Sequence, residues 1–310
     1  MKAYISFASL ASIVSAAGDG GYDYKQNGLD WPNDFPDCGL TNQSPINLNS
    51  AYDAYTRYDK SEDLYTKVYS NQKDEEVAWV GDTTKVTLND GPNMFTSQIG
   101  PTIFGANPQW NAAQFHFHAG SEHTIDNRRY DFEMHTVHLA EDTVNGFGYA
   151  AVGIIFSVNE YTAKLTHAEQ KIIDTFFDSV DLTKTNDPVQ SLITYGDLMN
   201  MVDTDNRYVY KGSVTTPPCG QSVYWNVLST VYPISQRHVD LFKQQLARAD
   251  QGNLDSTGNW RAIQGIDRHN VIRVVDTKLG SELATGNHVN YNININIYNQ
   301  GQLPGFMGGH

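Results

Sequence analysis

The sequence predicts a mainly β domain with a few surface helices. Short runs of β-forming residues separated by turn signals extend along most of the chain, as in 85–88 followed by Asn-Asp-Gly-Pro at 89–92. Two longer segments instead carry apolar residues at helical spacing, and no segment repeats at a fixed period. Many short strands with two helical stripes fit a sheet-based domain with helices on its outside.

The N-terminal 1–17 are predicted to be a signal peptide. Lys2 supplies a positive charge, 3–14 are largely apolar, and 15–17 are small residues suited to cleavage. The apolar stretch is too short to span a membrane as a helix, and no later run reaches about 18 apolar residues. We therefore expect a secreted or lumenal (or periplasmic) protein with one domain over 18–278.

Two helices are predicted within this domain. Thr166 is placed to cap a helix over 166–179, and a second helix follows Ser235. Their apolar stripes are expected to pack in the core. They contain Ile172, Ile173, Phe176 and Phe177 in the first helix and Val239, Phe242 and Leu246 in the second.

The final segment, 279–310, is rich in Asn and Gly, and its strict alternation over 292–298 is typical of an edge strand or of a self-pairing segment.

Three histidines are placed to hold a metal. His116 and His118 alternate with Phe115 and Phe117, so both imidazoles point to the same face of a strand. His135 lies on a second alternating run, and the three imidazoles converge if the two runs pair. Three nitrogen ligands with a fourth position open are typical of a catalytic zinc site.

Polar residues on the same faces strengthen this prediction. Gln114 precedes His116 by two residues, and Glu133 precedes His135 by two, so each can accept the second ring N–H of its histidine. His123 falls outside the ligand pattern. His138 has the opposite parity to His135 and is predicted to be a core histidine.

Some of the same residues also fit the metal-binding motif of the cupin family. His116, His118 and Glu122 have its spacing, but the glycines that it requires are replaced by Trp110 and Arg129. A second cupin half-motif is not evident, so we disfavour this jelly-roll interpretation.

The net charge limits the possible binding partners, and the cysteine content indicates whether a disulfide is present. The net charge of −14 argues against nucleic acid or an anionic membrane surface as a partner. Cys38 and Cys219 are the only cysteines. An even count in an exported chain indicates one disulfide, with a pair of buried free thiols as the alternative.

An ordered series of motifs resembles the alpha class of carbonic anhydrases, in the short-loop form of plant, algal and bacterial members. The resemblance extends from about Tyr22 to Asp276 and includes QSPINL at 43–48, QFHFH at 114–118, SEHT at 121–124, EMHTVH at 133–138, GSVTTPP at 212–218 and NWR at 259–261. It implies a single domain around a large twisted, mostly antiparallel sheet. The implied activity is reversible hydration of carbon dioxide to bicarbonate by zinc-bound hydroxide.

The resemblance also implies roles for individual residues. His116, His118 and His135 would bind Zn²⁺, with Gln114 and Glu133 behind them. Thr215 would accept the proton of the hydroxide and donate its own to Glu122, and Thr216 would contact bicarbonate. The apolar substrate pocket would be formed by Val137, Ala151, Val214, Val223 and Trp225, and a disulfide would join Cys38 to Cys219.

One position departs from the family pattern. Fast members carry a proton-shuttling histidine just after an Asn-x-Gly turn, where this chain has Pro92, with Tyr22 and Tyr24 as the aromatic residues of the rim. Proline cannot relay a proton, so proton exit is expected to be slow unless another group substitutes. The alternative function is a non-catalytic or weakly esterolytic relative serving in storage, matrix or binding; the sequence identifies no protein partner.

Overall fold

A computed structural model describes 21–51, 56–60, 65–88, 93–97, 108–144, 147–183, 189–249, 254–266 and 269–276. The predicted signal peptide and the C-terminal segment lie outside these residues. One compact unit of the chain ends at Asp276. The predicted domain limits, 18 and 278, lie outside the described residues and stay predictions.

The described part is mainly β, as predicted. Its strands are β1 (Asn47–Leu48), β2 (Thr56–Lys60), β3 (Tyr65–Val68), β4 (Gln72–Trp79), β5 (Thr84–Thr87), β6 (Met94–Ser97), β7 (Gln109–His118), β8 (Thr124–Ile125), β9 (Phe132–Val144), β10 (Phe147–Ser157), β11 (Val189–Ile193), β12 (Arg207–Gly212), β13 (Val223–Leu228), β14 (Tyr232–Pro233) and β15 (Ile272–Asp276).

Most strands join one large sheet. Its described order is β11-β4-β5-β7-β9-β10-β13-β12-β15-β2, with β3 and β6 attached beside β7 and β14 beside β10. The β10–β13, β10–β14 and β15–β2 pairs are parallel, and the other pairs in this sheet are antiparallel. The expected large, mostly antiparallel sheet is confirmed, and it places β7 and β9 at its centre.

Both predicted helices are confirmed. Helix α1 (His167–Val180) begins after Thr166, whose side chain accepts from the Glu169 N–H while Glu169 bonds back to the Thr166 N–H. Helix α3 (Gln236–Leu246) begins after Ser235, whose side chain accepts from the His238 backbone N–H. The helices bury Phe176, Phe177 and Phe242 against the sheet. Two short helices, α2 (Tyr195–Met201) and α4 (Leu254–Thr257), were not predicted.

His138 is a core histidine, as its parity predicts. It is fully buried, its Nε2 accepts from the Tyr69 hydroxyl at 2.8 Å, and its Nδ1 donates to the Thr136 carbonyl at 3.1 Å. Burial lowers its pKa to about 3. The folded protein therefore holds this imidazole in its neutral form.

Acid is expected to destabilise the fold through His138. Between pH values of about 6.5 and 3, the unfolded chain binds a proton at this position that the native state does not. The free energy of unfolding therefore decreases by about 1.4 kcal/mol for each unit that the pH is lowered. Urea unfolding of wild type and His138→Gln over this range tests the effect. The variant should be less stable at pH 8 but show a shallower decline; parallel curves would contradict the assignment.

Candidate metal centre

The pairing of β7 with β9 brings the three predicted ligands together. In the antiparallel register His116 lies opposite His135, and His118 lies opposite Glu133. Side chains opposite each other in such a pair share one face of the sheet. The strand alternation and this register together place all three imidazoles at one spot, and all three are buried.

Each imidazole donates one ring N–H to a neighbouring oxygen. His116 Nδ1 lies 2.9 Å from Gln114 Oε1, His135 Nε2 lies 2.8 Å from Glu133 Oε1, and His118 Nδ1 lies 2.7 Å from the backbone oxygen of Asn259. Because these oxygens can only accept, the other ring nitrogens carry lone pairs: His116 Nε2, His118 Nε2 and His135 Nδ1. Sequence reasoning identified Gln114 and Glu133 but missed the Asn259 carbonyl.

The chemistry of this donor set fits a zinc ion. Ligand nitrogens of the three histidines lie within 4.8 Å of one another. His118 Nε2 is buried and has no hydrogen-bond partner among the described residues, which is costly unless a metal uses its lone pair. Burial, followed by the neighbouring His118 and His135, holds the pKa of His116 well below its usual value. Neutral imidazoles are the form that binds zinc.

His123 belongs to a network behind the ligands, which its position in the sequence did not indicate. Its Nδ1 donates to Glu133 Oε1 at 2.7 Å, and its Nε2 lies 2.7 Å from the Tyr210 hydroxyl, which in turn donates to Ser44. Burial alone would raise the pKa of Glu133, but His123 and His135 hold it well below the usual range. An ionised Glu133 fixes the tautomer and orientation of His135.

A second group of possible metal ligands overlaps this network: His123, Glu133 and His135. Both ring nitrogens of His123 already take part in hydrogen bonds, and Glu133 Oε1 is shared between the two histidines. The nitrogen and oxygen atoms of this group therefore already form hydrogen bonds, most of them with one another. The group fits a metal ion less well than the three-histidine group does.

Glu122 is held at the edge of the three-histidine group. Its Oε1 accepts from the Arg261 backbone N–H at 2.8 Å. Its Oε2 lies 3.6 Å from His118 Nε2 and 3.9 Å from His135 Nδ1, and it has no hydrogen-bond partner among the described residues. This oxygen is free to accept a hydrogen bond from the Thr215 hydroxyl, and that bond stays a prediction.

A small cavity opens beside His116 and His135. Thr215 lines it, and Thr216 is buried next to Thr215 in the chain. Tyr149 also lines the cavity and was not predicted to do so. The other lining residues are the five apolar ones named from the sequence: Val137, Ala151, Val214, Val223 and Trp225.

Pro92 and the turn before it lie outside the described residues, so its role stays a prediction. A different turn, 80–83, leads into β5, which pairs with β7 so that Lys85 lies opposite His116. This turn contains Gly81 with a φ of 97°. Turn 80–83 therefore lies at the start of β5, the strand that pairs with β7, which carries His116 and His118.

Cys38 and Cys219 form a disulfide across 181 residues of sequence. The buried guanidinium of Arg261 donates to the Cys38 carbonyl at 2.8 Å and to Gln43 Oε1 at 2.9 Å. Gln43 in turn donates to the Cys219 carbonyl at 3.2 Å. Both ends of the disulfide are thereby connected to Arg261, whose backbone N–H holds Glu122.

Removing the disulfide is expected to destabilise the protein. Cys38→Ser/Cys219→Ser should lose roughly 2–5 kcal/mol of unfolding free energy, because a cross-link over a long loop restricts the unfolded chain. Urea unfolding with and without reductant measures this loss. Reductant should destabilise wild type and leave the double variant unchanged; two titratable thiols in denatured, unreduced wild type would contradict the prediction.

Comparison with known proteins identifies the family. The family model for eukaryotic-type carbonic anhydrases matches 26–275, most of the chain. This protein belongs to that family, the alpha class.

Similar proteins include carbonic anhydrase 6 of the dog, 27% identical with 95% of this chain and 92% of the relative covered, and carbonic anhydrase 6 of cattle, 26% identical with 91% and 89% covered.

Solved structures share the fold at lower sequence identity. A halotolerant carbonic anhydrase from Dunaliella salina superposes with a TM-score of 0.60 at 24% identity, over 83% of this chain and 98% of its own. A dioscorin complexed with ascorbate superposes with a TM-score of 0.62 at 21% identity, over 83% and 99%. These likenesses establish the fold.

Proposed function

We propose that this protein is a zinc-dependent carbonic anhydrase that reversibly hydrates carbon dioxide to bicarbonate and a proton. The observation that carries the proposal is the hydrogen bonding of His116, His118 and His135. Each ring donates one N–H to a fixed oxygen and keeps a lone pair on the other nitrogen, in a buried group beside an apolar cavity. These three residues would hold the zinc.

Zinc bound by neutral imidazoles supplies a Lewis acid that lowers the pKa of water to about 7, which makes hydroxide available at neutral pH. The protein orients the reactants. The Arg261 backbone N–H fixes Glu122 through one carboxylate oxygen, and the other oxygen is free to accept a hydrogen bond from the Thr215 hydroxyl. A Thr215 hydroxyl so engaged has its oxygen lone pairs available to accept a hydrogen bond from the nucleophile.

The cavity suits an apolar substrate. Carbon dioxide has no charge and no hydrogen-bond donor, so shape and apolar contact are the means of holding it. Val137, Val214 and Val223 provide such contacts beside the histidines, and Trp225 donates its indole N–H to the Ser213 carbonyl at 3.0 Å, which leaves its ring facing the cavity. Thr216 is proposed to contact bicarbonate.

Metal removal tests the proposal. Purified protein should contain one zinc per chain and catalyse hydration in a stopped-flow assay, lose activity after removal of zinc with a chelator, and recover it when zinc is added back. A protein that binds zinc but does not accelerate hydration would instead support the non-catalytic alternative.

We further propose that the protein works outside the cytosol. The disulfide fits an oxidising compartment, and the predicted signal peptide would direct the chain there. Among the described residues, no helix is long and apolar enough to cross a membrane.

A further inference from the structure

Three carboxylates are buried among the described residues: Asp82, Glu122 and Glu133. Glu133 is bonded to two histidines, and Glu122 is held by Arg261 beside the ligand nitrogens. Asp82 has no part in either arrangement. Burying an ionised carboxylate costs free energy unless the charge is paired, hydrogen-bonded or neutralised by a proton.

Asp82 lies in the turn between β4 and β5, and β5 pairs with β7, the strand that carries His116 and His118. The Asn259 side-chain amide donates to the Asp82 backbone oxygen at 2.8 Å, and the Asn259 backbone oxygen accepts from His118. One residue therefore positions both this turn and a predicted zinc ligand. The turn also reaches the surface, because Val80 and Gly81 are only half-buried.

Polar neighbours lie between the Asp82 side chain and Thr215, which lines the cavity. The Tyr22 hydroxyl donates to Asp82 Oδ2 at 3.1 Å. The Thr216 side chain is a neighbour of Tyr22 and acts to lower its pKa, against the larger effect of burial. Thr216 follows Thr215, which lines the cavity. Asp82 Oδ1 is buried without a hydrogen-bond partner among the described residues, so this carboxyl has an oxygen free to carry a proton.

The surroundings of Asp82 suit a group that gains and loses a proton near neutral pH. Burial raises its pKa to about 7, partly opposed by the hydrogen bond from Tyr22. The titratable groups that face it are Tyr22 and Tyr24 from the N-terminal arm and Glu122 from the loop after β7. Burial and Asp82 hold the pKa values of both tyrosines well above their usual range, so both hydroxyls keep their protons.

We propose that Asp82 accepts the proton released by carbon dioxide hydration, through the hydroxyls of Thr216 and Tyr22. The proposal rests on the proposed function and supplies the group that would substitute for the expected histidine. Carbon dioxide and water give bicarbonate and one proton. That proton enters at the Thr216 oxygen, the Thr216 proton passes to Tyr22, and the Tyr22 proton passes to Asp82 Oδ2; the neutral carboxyl then releases it to a buffer base.

Steady-state hydration kinetics of the zinc-loaded protein test this route. At low buffer concentration Asp82→Asn should lower kcat by about 10²-fold, the lower end of the range for a lost proton-transfer group, with kcat/KM unchanged. Added imidazole should restore kcat. Tyr22→Phe, which removes the intervening hydroxyl, should show the same pattern. Asp203→Asn is the matched control, because Asp203 accepts three hydrogen bonds within its own loop and should behave as wild type.

The possible failures are distinguishable. Inactive zinc-loaded wild type would refute the proposed function itself. Active wild type with an Asp82→Asn variant of equal kcat and equal buffer dependence would overturn the role of Asp82, and so would a variant that loses kcat/KM in parallel with kcat. A Tyr22→Phe variant identical to wild type would overturn the route through Tyr22.

Discussion

Replacing His118 with Ala is expected to abolish both zinc binding and carbon dioxide hydration. His118 Nε2 is one of three converging lone pairs, and two remaining imidazoles cannot form the three-ligand site that catalytic zinc requires. Activity should fall to that of the metal-free protein. Metal analysis of the dialysed variant and stopped-flow hydration measure the two effects separately.

His167→Ala is the matched control for this prediction. His167 is exposed at the start of α1, so its removal should leave both zinc content and rate unchanged. Near-ultraviolet circular dichroism verifies that His118→Ala keeps its tertiary packing. A folded His118→Ala variant with one zinc per chain and full activity would show that the metal is held elsewhere.

Replacing Thr215 with Ala is expected to slow hydration by roughly 10²–10³-fold while zinc remains bound. A preorganised hydrogen bond of this kind is typically worth about 3–4 kcal/mol in the transition state. Thr215 lines the cavity beside His116 and His135, and a threonine hydroxyl is not among the usual protein ligands of zinc, which are His, Cys, Asp and Glu. The effect should therefore appear in kcat/KM and not in the metal content.

A double-mutant cycle with Glu122→Gln tests whether the two residues act as a pair. Glu122→Gln alone should also slow hydration, and combining it with Thr215→Ala should add little, because groups that share one interaction are not additive. Thr183→Ala, at an exposed turn after α1, controls for loss of a threonine hydroxyl. Fully additive losses, or an unchanged rate in zinc-loaded Thr215→Ala, would argue against this role.

Local sequence determined much of the fold and the central part of the site. Alternation placed His116 and His118 on one face of a strand, and cap residues defined the starts of α1 and α3. These features depend on neighbours within a few residues, where backbone geometry has a short period. The oxygens that accept the ring N–H groups of His116 and His135 could be predicted for the same reason. They belong to Gln114 and Glu133, which each lie two residues before their histidine.

Only the tertiary structure decided the contacts between distant segments. The Asn259 carbonyl reaches His118 across 141 residues of sequence, and the Arg261 N–H reaches Glu122 across 139. The bonding of His123 to Tyr210 and the burial of Asp82 against Tyr22 are of the same kind. No local periodicity records such contacts, because they depend on sheet order and on how loops cross the ends of strands. Strand alternation predicts no role for His123 or Asp82, and only their packing in the folded protein shows which groups they contact.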